Sequence, residues 1–502
     1  MIYFKKLALT VFIFSLVAVS FASFGEARGV PVYSPQNPQS PDIYLPIIFN
    51  PGPLPSVFGV ETTYIDQSLL SKAGNIPIYW WRYSAFLWNQ IEPQDVDPPQ
   101  YNWGDVQENS LVAASQQGFT IVAVVKNTPH FAQAINDPQN IPCSPIKNDG
   151  ATIAEFAEFI HELAVRYSAP PYNIRYWQLG NEPDVDVDLF SGPNFNLRYT
   201  SPYGCWGDDA DPYYGGKYYA DFLKIFSDTI KAVNPSAQIT NGGLLLDCHP
   251  VNDAPNCPSG TFFDGIILRL QELNALSALD YVSFHAYARW YSNLKFDEEY
   301  KGFTSHGGVL LGKSYFLREI MTSHGLNPLK PLLVTEGGTM CARPDEAAPL
   351  PSGFKCSDLN SPPEFSDDQA EHLVWHYVRS IADGISGMMW YTLNYQSYRH
   401  VGLLNADNSD KPAYTAYQFL VSQLGDAQYV GPLTQFFPTL RAYEFNKNSQ
   451  RIWVLWAPDQ IDHSIFKPPG FQAAYDKLGS LINVPPGATT LTINSPVYLI
   501  LD

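Results

Sequence analysis

From residue 57 onward the chain alternates between two patterns of apolar positions. Short runs rich in β-branched and aromatic residues recur: VFGVE (57–61), IPIYWWR (76–82), FTIVAVVK (119–126), IRYWQLG (174–180), AQITNGG (237–243), YVSFHAY (281–287), PLLVTE (331–336) and GMMWYTL (387–393). Such runs predict buried strands. Between them lie stretches with the period of a helix. In ATIAEFAEFIHELAVRYS (151–168), Ile153, Phe156, Ile160, Leu163 and Tyr167 recur at spacings of three and four, and Pro170 and Pro171 then stop the pattern. KYYADFLKIFSDTIKAVNP (217–235) has the same character. QAEHLVWHYVRSIADG (369–384) ends at Gly384, a residue suited to a helix C-cap.

Strands alternating with helices predict a parallel sheet. Eight is the number that closes a (β/α)8 barrel, and residues 57–425 give enough chain for one with insertions. An open doubly wound sheet is the alternative. That fold places a glycine-rich turn after its first strand, and VFGVETTYIDQ has no GxGxxG. The expected fold class is therefore α/β, a (β/α)8 TIM barrel over residues 57–425. Beyond it the texture changes. RAYEFN, RIWVLWAP, TLTIN and PVYLILD alternate polar and apolar positions, which predicts a small antiparallel β domain over residues 426–502.

Upstream, residues 1–24 read as a secretory signal: Lys5 and Lys6, an apolar run from Leu7 to Val19, then small residues at Ser20 and Ala22. An uncleaved membrane anchor is the competing reading. Either one places the rest of the chain outside the cytoplasm. Residues 25–56 are proline-rich and read as an extended linker. Export makes disulfides the natural use of the six cysteines. Cys248 and Cys257 bracket one short loop, and Cys341 and Cys356 bracket another. Cys143 and Cys205 remain as a third pair, although many other connectivities are open to six cysteines. A zinc site is the rival reading, but no CxxC or HExxH spacing occurs.

Charge narrows the function. The formal net charge is −19, which argues against nucleic acid as a partner, since that needs a basic patch. It suits an uncharged substrate, or simply keeps an exported protein soluble. In a barrel of this kind, functional side chains sit at the C-terminal ends of the strands. Those ends carry Arg82, Asn181 with Glu182, His285 with Tyr287, Glu336 and Trp390. His130, in KNTPHF after the third strand, falls at the same mouth. Trp88, Trp206 and Trp290 lie in or near the following loops, where an indole can stack on a sugar. Two carboxylates facing each other across a cleft can cleave a glycosidic bond. One gives a proton to the leaving oxygen, and the other, ionised, attacks or activates water.

WQLGNEPD, followed 154 residues later by PLLVTEGG, together with WWRYS, SFHAY and MMWYTLN, resembles clan A glycoside hydrolases, nearest to families 39 and 5 and their relatives. The resemblance spans roughly residues 57–425. It implies a retaining mechanism with Glu182 as general acid/base and Glu336 as nucleophile. It also implies that Asn181 binds the 2-hydroxyl, Arg82 orients the nucleophile, His285 and Tyr287 flank it, and Trp390 is the platform under the reacting sugar; a one-residue change of register would instead put Trp390 in the core and Tyr391 in the barrel. No metal or organic cofactor is expected. The expected partner is an oligosaccharide or polysaccharide with β-glycosidic bonds, with no nucleic acid, and with a membrane only if the N-terminal segment stays in place. Two alternatives remain: a non-catalytic barrel that binds carbohydrate, and an inverting enzyme, whose carboxyls stand about 6.5–9.5 Å apart rather than about 5–5.5 Å.

Overall fold

The computed structural model describes residues 56–134, 143–185, 206–253, 257–342, 356, 361–395 and 398–502. The expected signal (1–24), nearly all of the linker (25–55) and Cys205 lie outside the described residues. Eight parallel strands form the centre: β1 (Phe58–Thr62), β2 (Trp80–Leu87), β3 (Thr120–Lys126), β4 (Tyr176–Leu179), β5 (Gln238–Thr240), β6 (Val282–Trp290), β7 (Leu332–Cys341) and β8 (Gly387–Trp390). They pair in the order β5-β4-β3-β2-β1-β8-β7-β6. Parallel bridges Thr240↔Tyr281 and Leu244↔Phe284 then join the two outer strands and close the barrel. Helices follow the strands in turn: α1 (Gln67–Gly74), α2 (Trp88–Ile91), α3 (Glu108–Gln116), α4 (Gly150–Tyr167), α5 (Gly216–Val233), α6 (Phe262–Glu272), α7 (Leu311–Ser323), α8 (Pro363–Ala382) and α9 (Pro412–Leu424). The fold is a TIM barrel with a C-terminal β domain. Among the described residues, no helix is long and apolar enough to cross a membrane.

Local chemistry accounts for the helix ends. Asp149 caps α4 by accepting from Thr152 N, and the buried face of the helix carries Phe156, Phe159, Ile160, Leu163 and Tyr167. β6 and β7 run past the predicted ends to Trp290 and Cys341, β8 stops at Trp390, and two further strands depart for local reasons. The second run predicts a strand over 76–82, yet β2 starts at Trp80 and continues to Leu87 through a register shift between Tyr83 and Phe86. Ile76 and Ile78 are buried in the approach to it, so apolar content marked the core and not the strand. The fifth run shrinks to three residues, because Asn241–Gly243 leave the ladder before Leu244 bridges to β6.

The barrel interior is layered. At its lower end Trp80, Val122, Leu333 and Met389 pack with Tyr79, Tyr176 and Tyr281. Room for the Trp80 indole comes from glycine. A Cβ on Gly59 would stand 2.6 Å from the Trp80 Cβ, and one on Gly387 would stand 2.5 Å from its Nε1. One layer higher, on the same inner face, the lining turns polar with Glu61, Arg82 and Gln178, all buried.

The C-terminal segment forms a five-stranded sheet in the order β13-β15-β11-β10-β9. Its strands are β9 (Gln428–Pro432), β10 (Arg441–Lys447), β11 (Gln450–Trp456), β13 (Phe471–Asp476) and β15 (Val497–Leu501); β12 (His463–Phe466) and β14 (Thr490–Ile493) pair separately. Alternation along β15 explains the packing. Tyr498 and Ile500 join the barrel's core, whereas Val497, Leu499 and Leu501 join a second cluster with Ile465, Leu491 and Ile493 of the two-stranded ribbon. Helix α8 is the seam. Every residue from Gln369 to Ser380 is buried, and Trp375 stacks on Trp456 at 5.8 Å. Arg441 of β10 clasps Glu298 with two bonds, and Lys477 reaches Asp367 of α8 at 2.9 Å. Disulfides join Cys248 to Cys257 and Cys341 to Cys356. Cys143 is also disulfide-bonded.

Candidate active site

The NEP turn after β4 is built by close approach. Gly180 and Glu182 both take positive φ, 77° and 46°, the second an uncommon conformation for a residue with a side chain. Glu182 N donates to Gly242 O at 2.7 Å. A Cβ on Gly242 would stand 2.8 Å from Pro183 Cδ, so glycine there lets the two loops touch. The Asp184 carboxyl then accepts from Leu245 N and Leu246 N at 2.8 and 2.9 Å and pins the turn to the chain after β5. In this way the backbone aims Asn181 and Glu182 at the barrel axis.

Arg82 is the hub. It is fully buried and spends its donors on four side chains. Nη1 donates to Glu336 Oε1 at 2.5 Å and also to Glu61 Oε2, Nη2 to Asn181 Oδ1 at 2.5 Å, and Nε to Gln178 Oε1 at 3.2 Å. Its planar fork suits such a network, and its charge holds in a buried setting. The Tyr287 hydroxyl donates to the other Glu336 oxygen. His285 Nδ1 lies 2.7 Å from Glu182 Oε1 and 3.6 Å from Glu336 Oε2. One oxygen each of Glu182 and Glu336 and a ring nitrogen of His285 all lie within 4.8 Å of one another. Both glutamates are buried, at 5% and 7% exposure.

The two carboxyls therefore have different surroundings. Burial acts to raise the Glu336 carboxyl. His285 and Arg82 beside it, with the bonds from Tyr287 and Arg82, outweigh that and hold it below the usual glutamate range. Glu182 meets the His285 imidazole instead. Burial pushes Glu61 up to about 8, against the pull of Arg82. Burial likewise raises Tyr287 well above an ordinary tyrosine, so its hydroxyl stays a donor.

Glu182, His285 and Glu336 have the composition of a metal-ligand set, but the Arg82 cation already stands on Glu336. A second such group, Asp297, His372 and His376, lies on the barrel side of α8, which carries both histidines. There Asp297 is bound to His372 at 2.8 Å and ion-paired with Arg379, and the cluster ties the barrel to its outer layer.

The structure brings Arg82, Asn181, Glu182, His285, Tyr287 and Glu336 into one mouth. Trp390 is a correction. It stands in register with Val60 and shares its core, on the face of the sheet opposite to Met389 and Trp80. Its ring packs 6.1 Å from His372 of α8, and its Nε1 donates to Val401 O at 3.2 Å. Period-two alternation places the next residue inward instead: Tyr391 is half-buried, with its ring 6.0 Å from that of Tyr287. His130 sits exposed in the turn after β3, outside the bonded cluster. Trp88, Trp206 and Trp290 are all buried, packed on Phe159 and Tyr219 in the first two cases and bonded to Asp368 in the third. Sequence reading missed Glu61 and Gln178. Glu61 ends the first predicted run, so the strand-end rule that found Glu336 also points to it. Gln178 shows only as a polar residue inside an apolar strand.

No family model matches the chain, and no curated protein matches it. Solved structures do match in fold. A family 39 glycoside hydrolase from Bacteroides cellulosilyticus is 18% identical, with 89% of this chain and 81% of that one covered at a TM-score of 0.60. A family 30 endoxylanase from Clostridium papyrosolvens is 10% identical, covering 89% and 97% at 0.54. A family 44 xyloglucanase from Paenibacillus polymyxa is 12% identical, covering 89% and 96% at 0.52. In fold the chain thus resembles clan A glycoside hydrolases.

Proposed function

We propose that the chain is an extracellular retaining glycoside hydrolase that cleaves β-glycosidic bonds in oligo- or polysaccharides by double displacement. One observation carries this reading: two buried glutamates face each other at the barrel mouth with oxygens within 4.8 Å, one on a guanidinium and the other on an imidazole. Oxygens that close favour the roughly 5–5.5 Å carboxyl separation of double displacement over the about 6.5–9.5 Å of an inverting enzyme. Glu336, held ionised, attacks the anomeric carbon while Glu182 protonates the departing oxygen, and a glycosyl ester forms on Glu336. Glu182 then takes a proton from the incoming water, which releases the sugar with its original configuration. His285 bonds to Glu182 and stands near Glu336, so it orients both carboxyls. Asn181, fixed by Arg82, keeps its amide N–H₂ for a hydroxyl of the sugar. The glycosidase neighbours support a carbohydrate substrate, and the disulfides support an oxidising location. The test is hydrolysis of a panel of aryl β-glycosides and plant polysaccharides by wild type beside Glu336→Gln. Turnover that vanishes in the variant supports the reading. Undiminished turnover in the variant overturns it.

A further inference from the structure

Glu61 is a third carboxyl in this mouth. It is the last but one residue of β1, on the inner face, in register with Arg82 of β2, and is 4% exposed. Its Oε2 accepts from the same Nη1 that serves Glu336. Two buried carboxylates on one guanidinium nitrogen repel each other, and the arrangement is relieved when one keeps a proton. The surroundings decide which. Glu336 also receives the Tyr287 hydroxyl and stands near His285. Among the described residues, the side-chain hydrogen bond to Glu61 comes from Arg82 alone. Glu336 is thus the better place for the negative charge.

We propose that Glu61 is a positioning residue: it keeps its proton at the working pH, leaves the charge of Arg82 to Glu336, and so holds Glu336 Oε1 on the line of attack. This rests on Glu336 being the nucleophile. The groups around Glu61 are Arg82 on β2, Lys126 on β3, Tyr287 on β6 and Glu336 on β7, with Tyr391 beyond β8 against Tyr287. Of these, Arg82 and Lys126 favour ionisation of Glu61, and burial and Glu336 oppose it, with burial the largest influence. Burial thus pushes the Glu61 carboxyl up to about 8. Above that point Glu61 competes for Nη1 and Glu336 loses its tether.

The experiment uses dinitrophenyl glycosides, whose leaving group departs without a proton, so that Glu182 does not shape the alkaline side of the profile. The pH dependence of kcat/KM is compared for wild type, Glu61→Gln, Glu61→Ala and Glu336→Gln. Glu61→Ala is expected to lose about 10- to 100-fold in kcat with little change in KM. Glu61→Gln, which mimics the protonated carboxyl, rescues most of that loss and moves the alkaline limb upward by about one pH unit or more. A Gln variant that keeps the wild-type limb, or that is as poor as the Ala variant, overturns the inference. Activity surviving in Glu336→Gln overturns the proposed function itself, a separate outcome.

Discussion

Arg82 Nη1 donates to Glu336 Oε1 across 2.5 Å, while Glu182 on the opposite wall is bonded to His285 instead. Two like carboxyls thus receive unlike partners, the physical basis for giving them unlike roles. The guanidinium does more than supply charge, because its other nitrogens hold Asn181 and Gln178. Arg82→Lys keeps the charge and loses the fork. Its kcat/KM is expected to fall by about 100-fold or more, with the fold retained. Arg82→Ala leaves buried carboxyls unpaired and is expected to cost about 3–5 kcal/mol of stability, measured by denaturant unfolding.

Under the proposed mechanism, removing Glu182 is expected to separate the two steps of the reaction. Glu182→Ala is expected to lose about 10²–10⁴-fold on substrates with poor leaving groups. On a dinitrophenyl glycoside the first step persists, and added azide, which needs no base, restores turnover and yields a glycosyl azide. Equal loss on both substrates, with no azide effect, contradicts an acid/base role.

Trp390 and Tyr391 are neighbours with opposite tasks. Trp390→Ala empties a fully buried site against α8 and is expected to destabilise the protein by about 3–5 kcal/mol. Tyr391→Ala is expected to leave stability close to wild type and to lower kcat/KM. Thermal unfolding and kinetics on the pair separate the two effects.

Stability should fall as pH rises. Burial pushes Asp184 up to about 7 and Glu61 and Glu371 up to about 8. Each folded-state value lies above that of the unfolded chain, so the native state binds more protons between the two. The contribution is complete below about pH 4 and is lost as pH climbs through 7 to 8. Burial pushes His249, His372 and His376 down, which acts in the opposite sense below about pH 6.5, so the unfolding midpoint is expected to drop by several degrees between about pH 6.5 and pH 8.5. Glu371→Gln flattens the upper part of that drop. A midpoint that rises over the range contradicts the assignment.

Legibility in the sequence followed the physics of each residue. The barrel was readable because eight apolar runs alternated with helical periods. The polar ends of those runs led to Arg82, Asn181, Glu182, His285, Tyr287 and Glu336, which the fold brings into one mouth. Trp390 was misread because WY offers two adjacent aromatics, and only the register with Val60 decides which one faces inward. Local pattern left the tasks of Trp88, Trp206 and Trp290 open: all three rings are buried, and Trp88 and Trp206 also line a cavity that reaches Gly180 and Asn181. The early start assigned to the second strand came from Ile76 and Ile78, whose burial precedes the ladder. Glu61 stands at a strand end as Glu336 does, so its presence at the mouth was legible, but its bond to Arg82 shows only once β1 lies beside β2.

The most direct test of the central claim is to trap the intermediate. An activated 2-deoxy-2-fluoro glycoside of the sugar that the panel identifies forms the glycosyl ester readily and releases it slowly. Peptide mass spectrometry after proteolysis then locates the label. One sugar per chain is expected, carried by Glu336 and absent in Glu336→Gln. A label on another residue, or turnover with inverted configuration and no covalent species, would contradict it.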